Sequence, residues 1–322
     1  MNADKHSPLR PVGRVLRSWF DNAAVQCADS SQSARNTKTV DWTRVVPFAA
    51  LHAAPAAVIW VGWSWTALAL AGLMYALRMV AITGFYHRYF SHRAFRTGRT
   101  TQFFLALMGA SAAQRGPLWW ASHHRHHHVH ADNSQDAHSP HHEGFLWSHL
   151  GWFLSRPNFA TRNHLIADFA KYRELRFLDR FDLAVPLALA LLIYLLGEWL
   201  ARDFAHLGTN GPQLLVWGFA ISTLALYHAT FTVNSLAHRY GKRRYATRDR
   251  SRNNPWLALL TFGEGWHNNH HHFPGSARQG FFWWEIDLTY YILRLLALSG
   301  IIWDLRPVPS QALSARLEKS VP

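Results

Sequence analysis

Apolar runs dominate the hydrophobic pattern of the chain, and four of them reach the roughly 20 residues that a bilayer-crossing helix needs. The first extends from about Val46 to Trp65 and contains PFAALHAAPAAVIWVGW. The second, TALALAGLMYALRMVAITG, follows at once from Thr66 to Gly84. The third is DLAVPLALALLIYLLGEWL, Asp182 to Leu200. The fourth is PQLLVWGFAISTLALYHATFTVNSLA, Pro212 to Ala237, and its second half turns polar. The short separations predict two tight helical hairpins. A lesser run, FFLALMGASAA from Phe103 to Ala113, is too short to span; it is expected as a buried or interfacial segment, or as an ordinary core helix.

Charge orients these segments. The first 45 residues, the region from Arg88 to Arg180 and the stretch after His238 are rich in Lys and Arg, whereas the two short connections hold only Arg202. The positive-inside tendency therefore predicts both termini and the long middle region on the cytoplasmic side of the cytoplasmic membrane. The expected fold is an all-α integral membrane protein: four transmembrane helices in two hairpins, under a helical cytoplasmic cap. Its expected divisions are a basic N-terminal segment (1–45), a membrane domain (46–304) and a C-terminal tail (305–322). The net charge of +14 calls for an anionic partner, and the apolar spans direct it to membrane lipid rather than nucleic acid. The single cysteine, Cys27, excludes an internal disulfide, a CxxC pair and a Cys-ligated iron–sulfur cluster. The N-terminus has no apolar stretch followed by a cleavage site, so no secretory signal is expected.

The candidate chemistry is histidine. Clusters fall beside the predicted cytoplasmic ends of the spans: HRYFSH (His87, His92), HRHHH (His124, His127, His128), NSLAH (Asn234, His238) and GEGWHNNHHHFP (His267, His270, His271). Positions i, i+3 and i+4 share a helical face, so each HxxHH triplet can aim its imidazoles at one centre. His87 and His92, at i and i+5, do not share a face on a regular helix; they need a helix end between them or serve two different metals. Nine histidines exceed what one metal accepts, which makes two metals the economical reading. Imidazole suits iron, zinc and copper alike. Asp132, Asp136, Glu264 and Asp287 are candidate acceptors for the second ring nitrogens. A histidine-rich tract alone would mean metal buffering; several spaced clusters on one side of a membrane argue for a built site.

Together, HRYFSHR, WxxxHRHHH, DAH, NSLAH and GEGWHNNHH occur in an order and spacing that resembles the membrane fatty-acyl desaturases of the stearoyl-CoA type, from about Val46 to Asp304. The resemblance implies two iron ions held by His87, His92, His124, His127, His128, His238, His267, His270 and His271, with Asn234 holding a water at one of them. Trp120 and the HRxHH frame select His124, His127 and His128 over the competing set His123, His126 and His127. Gln114, Trp120 and Thr230 match residues that frame the bend of the family's acyl tunnel, and Tyr75 is a candidate block at the tunnel end, or else an ordinary packing aromatic. Where acyl-CoA desaturases of animals carry Arg-Asp before the second box, this chain has Ser122 and His123. That departure leaves an acyl carrier protein or a lipid open as carrier besides CoA.

The implied reaction is O2-dependent insertion of a cis double bond, at Δ9, into a saturated long-chain acyl thioester. The chain has no HPGG motif, Cys cluster or dinucleotide fingerprint, so an external ferredoxin-type or cytochrome b5-like donor with its reductase is implied. The basic stretch GKRRYATRDRSR suits an acidic donor, and equally suits positive-inside loop charge. A histidine-box membrane hydroxylase of an alkyl or carotenoid substrate is the alternative. A metal transporter predicts polar ligands at mid-membrane, and the centre of the third run has none.

Overall fold

The computed structural model describes residues 12–23 and 39–315. Cys27 and much of the expected N-terminal segment and tail lie outside them. Among the described residues, four helices are long and apolar enough to cross a membrane: Trp42–Val61, Trp65–Ser91, Ala184–Asp203 and Gly211–Ser235. The chain is a mostly helical integral membrane protein with a cap of shorter helices; the strands among the described residues are two two-residue pieces, Arg96–Thr97 against Ile302–Trp303.

Local chemistry closes each hairpin. Gly62, at φ +64°, ends the first span, and the Ser64 side chain caps the second by accepting from the Ala67 N–H. Asn210 does the same for the fourth span at Gln213 N. Gly197 lets the third span meet that turn, since a Cβ there would lie 2.5 Å from the Asn210 carbonyl oxygen. The hairpins are joined across Gly218, against Leu70, and through Arg78, which donates to Thr223 at 2.7 Å and Ser222 at 2.5 Å.

The second span departs most from its predicted bounds. It runs on past Gly84 to Ser91, and Ala81–Ser91 is a π-helix with every residue buried. The segment is rich in aromatic residues and is packed on all sides: Gly109 of the helix Arg99–Ala110 admits the Tyr86 ring, and Gly84 meets Thr289. The run predicted as buried or interfacial is both, because that helix buries Leu105, Ala106 and Ala110 while leaving Phe104 and Met108 exposed.

Candidate metal centre

Four structural pieces supply the histidines. His87 lies in the π-helix and His92 caps its end. His124, His127 and His128 lie on the helix Pro117–His130, started by a proline in its first turn. His267, His270 and His271 share the one-and-a-half-turn helix His267–His272. His238 follows the fourth span, whose helix ends at Ser235, so Asn234 and His238 are not on one continuous helix as the spacing suggests.

These pieces bring the nine imidazoles into two adjoining groups. His87, His92, His124, His128 and His270 form one, and His127, His238, His267 and His271 the other; within each, the nitrogens lie within 4.8 Å of one another. The i, i+5 pair therefore serves a single group. The π-helix does this, since His92 N–H donates to the His87 carbonyl, a five-residue step that brings the two rings edge to face at 4.8 Å.

In the first group the five Nε2 atoms form a closed ring: His87 to His270 at 3.1 Å, His270 to His128 at 2.9 Å, His128 to His124 at 3.0 Å, His124 to His92 at 2.8 Å, and His92 to His87 at 3.2 Å. Each Nε2 offers one direction, either a proton or a lone pair. Hydrogen bonds can thus satisfy no more than two of the five contacts. The rest set like against like, unless a cation sits among them. Adjacent ligands on roughly 2.1 Å bonds at right angles would be about 3.0 Å apart, which matches the ring. In the second group, His238 and His267 Nε2 are 3.0 Å apart and the buried His271 Nε2 has no hydrogen-bond partner. The donor set and its geometry fit two metal ions.

Electrostatics supports metal-ready imidazoles. Burial first, and then neighbouring imidazoles, hold His92, His124, His128 and His270 well below the ordinary histidine range, so they stay neutral. Carboxylates orient the other nitrogens: Glu264 to His87 Nδ1 at 2.5 Å, Asp136 to His127 at 3.1 Å, Asp132 to His238 at 2.7 Å and Asp249 to His271 at 2.8 Å. Burial alone would raise Asp132, Asp136 and Asp249, but their histidine partners and hydrogen bonds outweigh it and keep all three ionised. Asp287 departs from the expectation for it: it holds the Arg88 guanidinium at 2.9 Å, and Arg88 in turn reaches Glu264. Sequence reasoning missed Asp249, which sits inside the basic stretch read as a surface loop. It also missed Gln279, whose amide donates to Glu264 at 2.9 Å and lies 3.2 Å from His87 Nδ1.

The surplus histidines acquire separate places. His123 is buried on Trp119 and bonds the Ala160 carbonyl. His138 stacks on His127, and His126 pairs with His130 away from both groups.

A cavity of about 400 Å³ touches both groups through His87, His124, His127 and His267. Gln114, Trp120 and Thr230 line it together. Gln114 donates to Thr230 at 2.9 Å, and the Trp120 indole N–H lies 3.4 Å from the Gln114 carbonyl oxygen. Asn234 also lines it. Tyr75 is not among its lining residues; its hydroxyl donates to the Leu260 carbonyl and its ring meets Phe262.

Known proteins resemble the chain over most of its length. Residues 63–301 match the family model described as "Fatty acid desaturase". The chain is 38% identical over 83% of its length to an sn-1 stearoyl-lipid 9-desaturase of Anabaena variabilis, covering 94% of that protein. It is 36% identical over 86% of its length to an sn-2 palmitoyl-lipid 9-desaturase of Nostoc sp., covering 94% of it. An icosanoyl-CoA 5-desaturase of Limnanthes douglasii is 35% identical over 86% of the chain and 75% of its own. With nine imidazoles gathered at the ends of membrane spans and a match across most of its length, the chain belongs to the fatty acid desaturase family.

Proposed function

We propose that the protein inserts a cis double bond at Δ9 of a saturated long-chain acyl group, using O2 and two irons held by the two histidine groups. The observation that carries this reading is the cavity beside the histidines. It touches both groups, and its wall continues onto Phe48 and Leu51 of the first span and Leu187 of the third. An alkyl chain in that space lies against the metal-holding residues and a mainly apolar lining. Bound iron supplies the redox chemistry that removes hydrogen from an unactivated methylene. The protein supplies position: the Gln114–Thr230 hydrogen bond, with Trp120 beside it, holds the part of the cavity wall where the family resemblance puts the bend of the acyl tunnel. A fixed bend selects one methylene pair among chemically alike neighbours better than apolar contact, which distinguishes a methylene by only about 1–3 kcal/mol. Neutral imidazoles leave the metals' charge uncompensated, and the ionised Asp132, Asp136 and Asp249 balance it one bond further out.

The carrier is CoA or a membrane lipid, and the named relatives include both kinds. Ser122 and His123, which stand where acyl-CoA desaturases of animals carry Arg-Asp, are buried here; His123 bonds the Ala160 carbonyl, and Ser122 engages Trp119 O and Arg162 N. That favours the lipid. Both termini and the cap face the cytoplasm in this reading, where an acidic electron carrier with its reductase meets the basic surface. Expression in a host without Δ9 activity, followed by lipid analysis, tests it. A Δ9 cis alkene is expected; a hydroxy acid without an alkene, or an alkene elsewhere, overturns the assignment. Supplying stearoyl-CoA or stearoyl-lipid to the reduced enzyme separates the carriers.

A further inference from the structure

The cap is not a uniformly water-facing dome. The second span places two of its helices at a depth that water does not reach. The far end of this span is marked by Trp60, Trp63 and Trp65, all strongly exposed, as in an interfacial aromatic belt. Tyr75, ten residues after Trp65, donates to the Leu260 carbonyl at 2.6 Å, at the end of the helix Pro255–Leu260. Thr83, eighteen residues after Trp65, hydrogen-bonds Thr289 at 2.7 Å on the helix Leu288–Leu298. At 1.5 Å per residue these contacts lie about 15 Å and no more than about 27 Å from the aromatic belt. The hydrocarbon layer is about 30 Å thick. Both cap helices therefore touch the span inside it.

Their surfaces agree with that depth. Each helix buries one face, with Leu257 and Ala258 on the first and Thr289 and Leu293 on the second. The opposite faces are large and apolar: Trp256 is 79% exposed, Leu298 79%, and Leu259 and Leu295 more than half. The loop before the second helix adds Trp283, 81% exposed, and Trp284. It is pinned to the third histidine box by the Trp266 indole, which donates to the Ile286 carbonyl at 2.8 Å. Arg294 is the sole charged residue of the second helix, and its long stem lets the head group reach the interface. An apolar surface of this extent is not left to water.

We propose that Pro255–Leu260, the loop at Trp283 and Leu288–Leu298 are immersed in the near leaflet as a non-spanning insertion, with lipid acyl chains covering their outer faces. The third histidine box, lying in the chain between these helices, is thus anchored to the bilayer on both sides. Site-directed spin labels test this in the full chain with Cys27→Ser, reconstituted in phosphatidylcholine liposomes. Labels are placed at Trp256→Cys and Leu298→Cys, with Lys242→Cys as the exposed reference. These side chains point outward, so labelling does not disturb packing. The expected result is collision with dissolved O2, relative to a water-soluble nickel chelate, several-fold higher at 256 and 298 than at 242. A ratio equal to that at 242 overturns the proposal in favour of a water-facing cap. Exclusion of both probes with label–label dipolar broadening overturns it in favour of a second copy of the chain.

Discussion

At the residue scale, the HRxHH frame of the second box separates ligand candidates from look-alikes one position away. His124→Ala should remove metal from the first group and abolish turnover. His123→Ala, which loses only a bond to Ala160 and a stacking contact, should keep its metal; elemental analysis of the two purified proteins decides. Asp249→Asn weakens the orientation of His271 and should lower metal affinity about 10–100-fold, measured by competition with a chelator. Nothing in the sequence marked Asp249, because a carboxylate between arginines reads as surface charge until the loop folds back to the third box. Glu264 and Asp136 were legible because each lies within a histidine motif, and Asp132 because it lies between two of them. Asp179 offers a test of stability. Burial pushes its carboxyl up to about 6, against the opposing hydrogen bonds from Thr161 and Trp119. The folded protein therefore holds this proton when the unfolded chain has lost it. Stability should fall as pH rises from about 4 to about 6, by on the order of 2–3 kcal/mol. Asp179→Asn should flatten that part of the profile in thermal melts.

At the scale of elements, hydropathy found all four spans because a bilayer-crossing helix announces itself by length alone. It ended the second one early because the continuation, FYHRYFS, is polar and aromatic. Its burial comes from tertiary partners, chiefly the helices Pro117–His130 and Arg99–Ala110. Gly109 is the contact that matters: a Cβ there would lie 2.0 Å from the Tyr86 ring, one residue from His87. Gly109→Leu should destabilise the protein by more than the about 1–3 kcal/mol usual for overpacking and release metal from the first group. Melting temperature and metal content together check it. The i, i+5 spacing of the first box was visible, but α-helical geometry gave it no common face. Only the π-helix does.

At the scale of the whole molecule, each histidine group gathers side chains from distant parts of the sequence. The first unites the end of the second span with the second and third boxes. The second unites the turn after the fourth span with the same two boxes. Metal ions bound there would fasten the two hairpins to each other and to the cap, and their binding energy would count toward folding. Removing metal with a chelator should therefore lower the melting temperature and loosen the cap before the spans, read as faster hydrogen exchange at 120–130 and 264–272. Adding Fe(II) back should restore both.

The π-helix also has a meaning in the currency of insertions and deletions. A π turn holds one residue more than an α turn, so a stretch of this kind is what a helix becomes when it absorbs a single added residue without shifting its flanks. Deleting one residue among Ala81, Ile82 and Thr83 should let the span return to the α form. His87 and His92, five residues apart, would then stand about 140° apart around the helix and could no longer both face His124, His128 and His270. A deletion variant that inserts normally but holds no metal at the first group is the expected result. One that keeps full metal content would show that the register of this span does not set the centre.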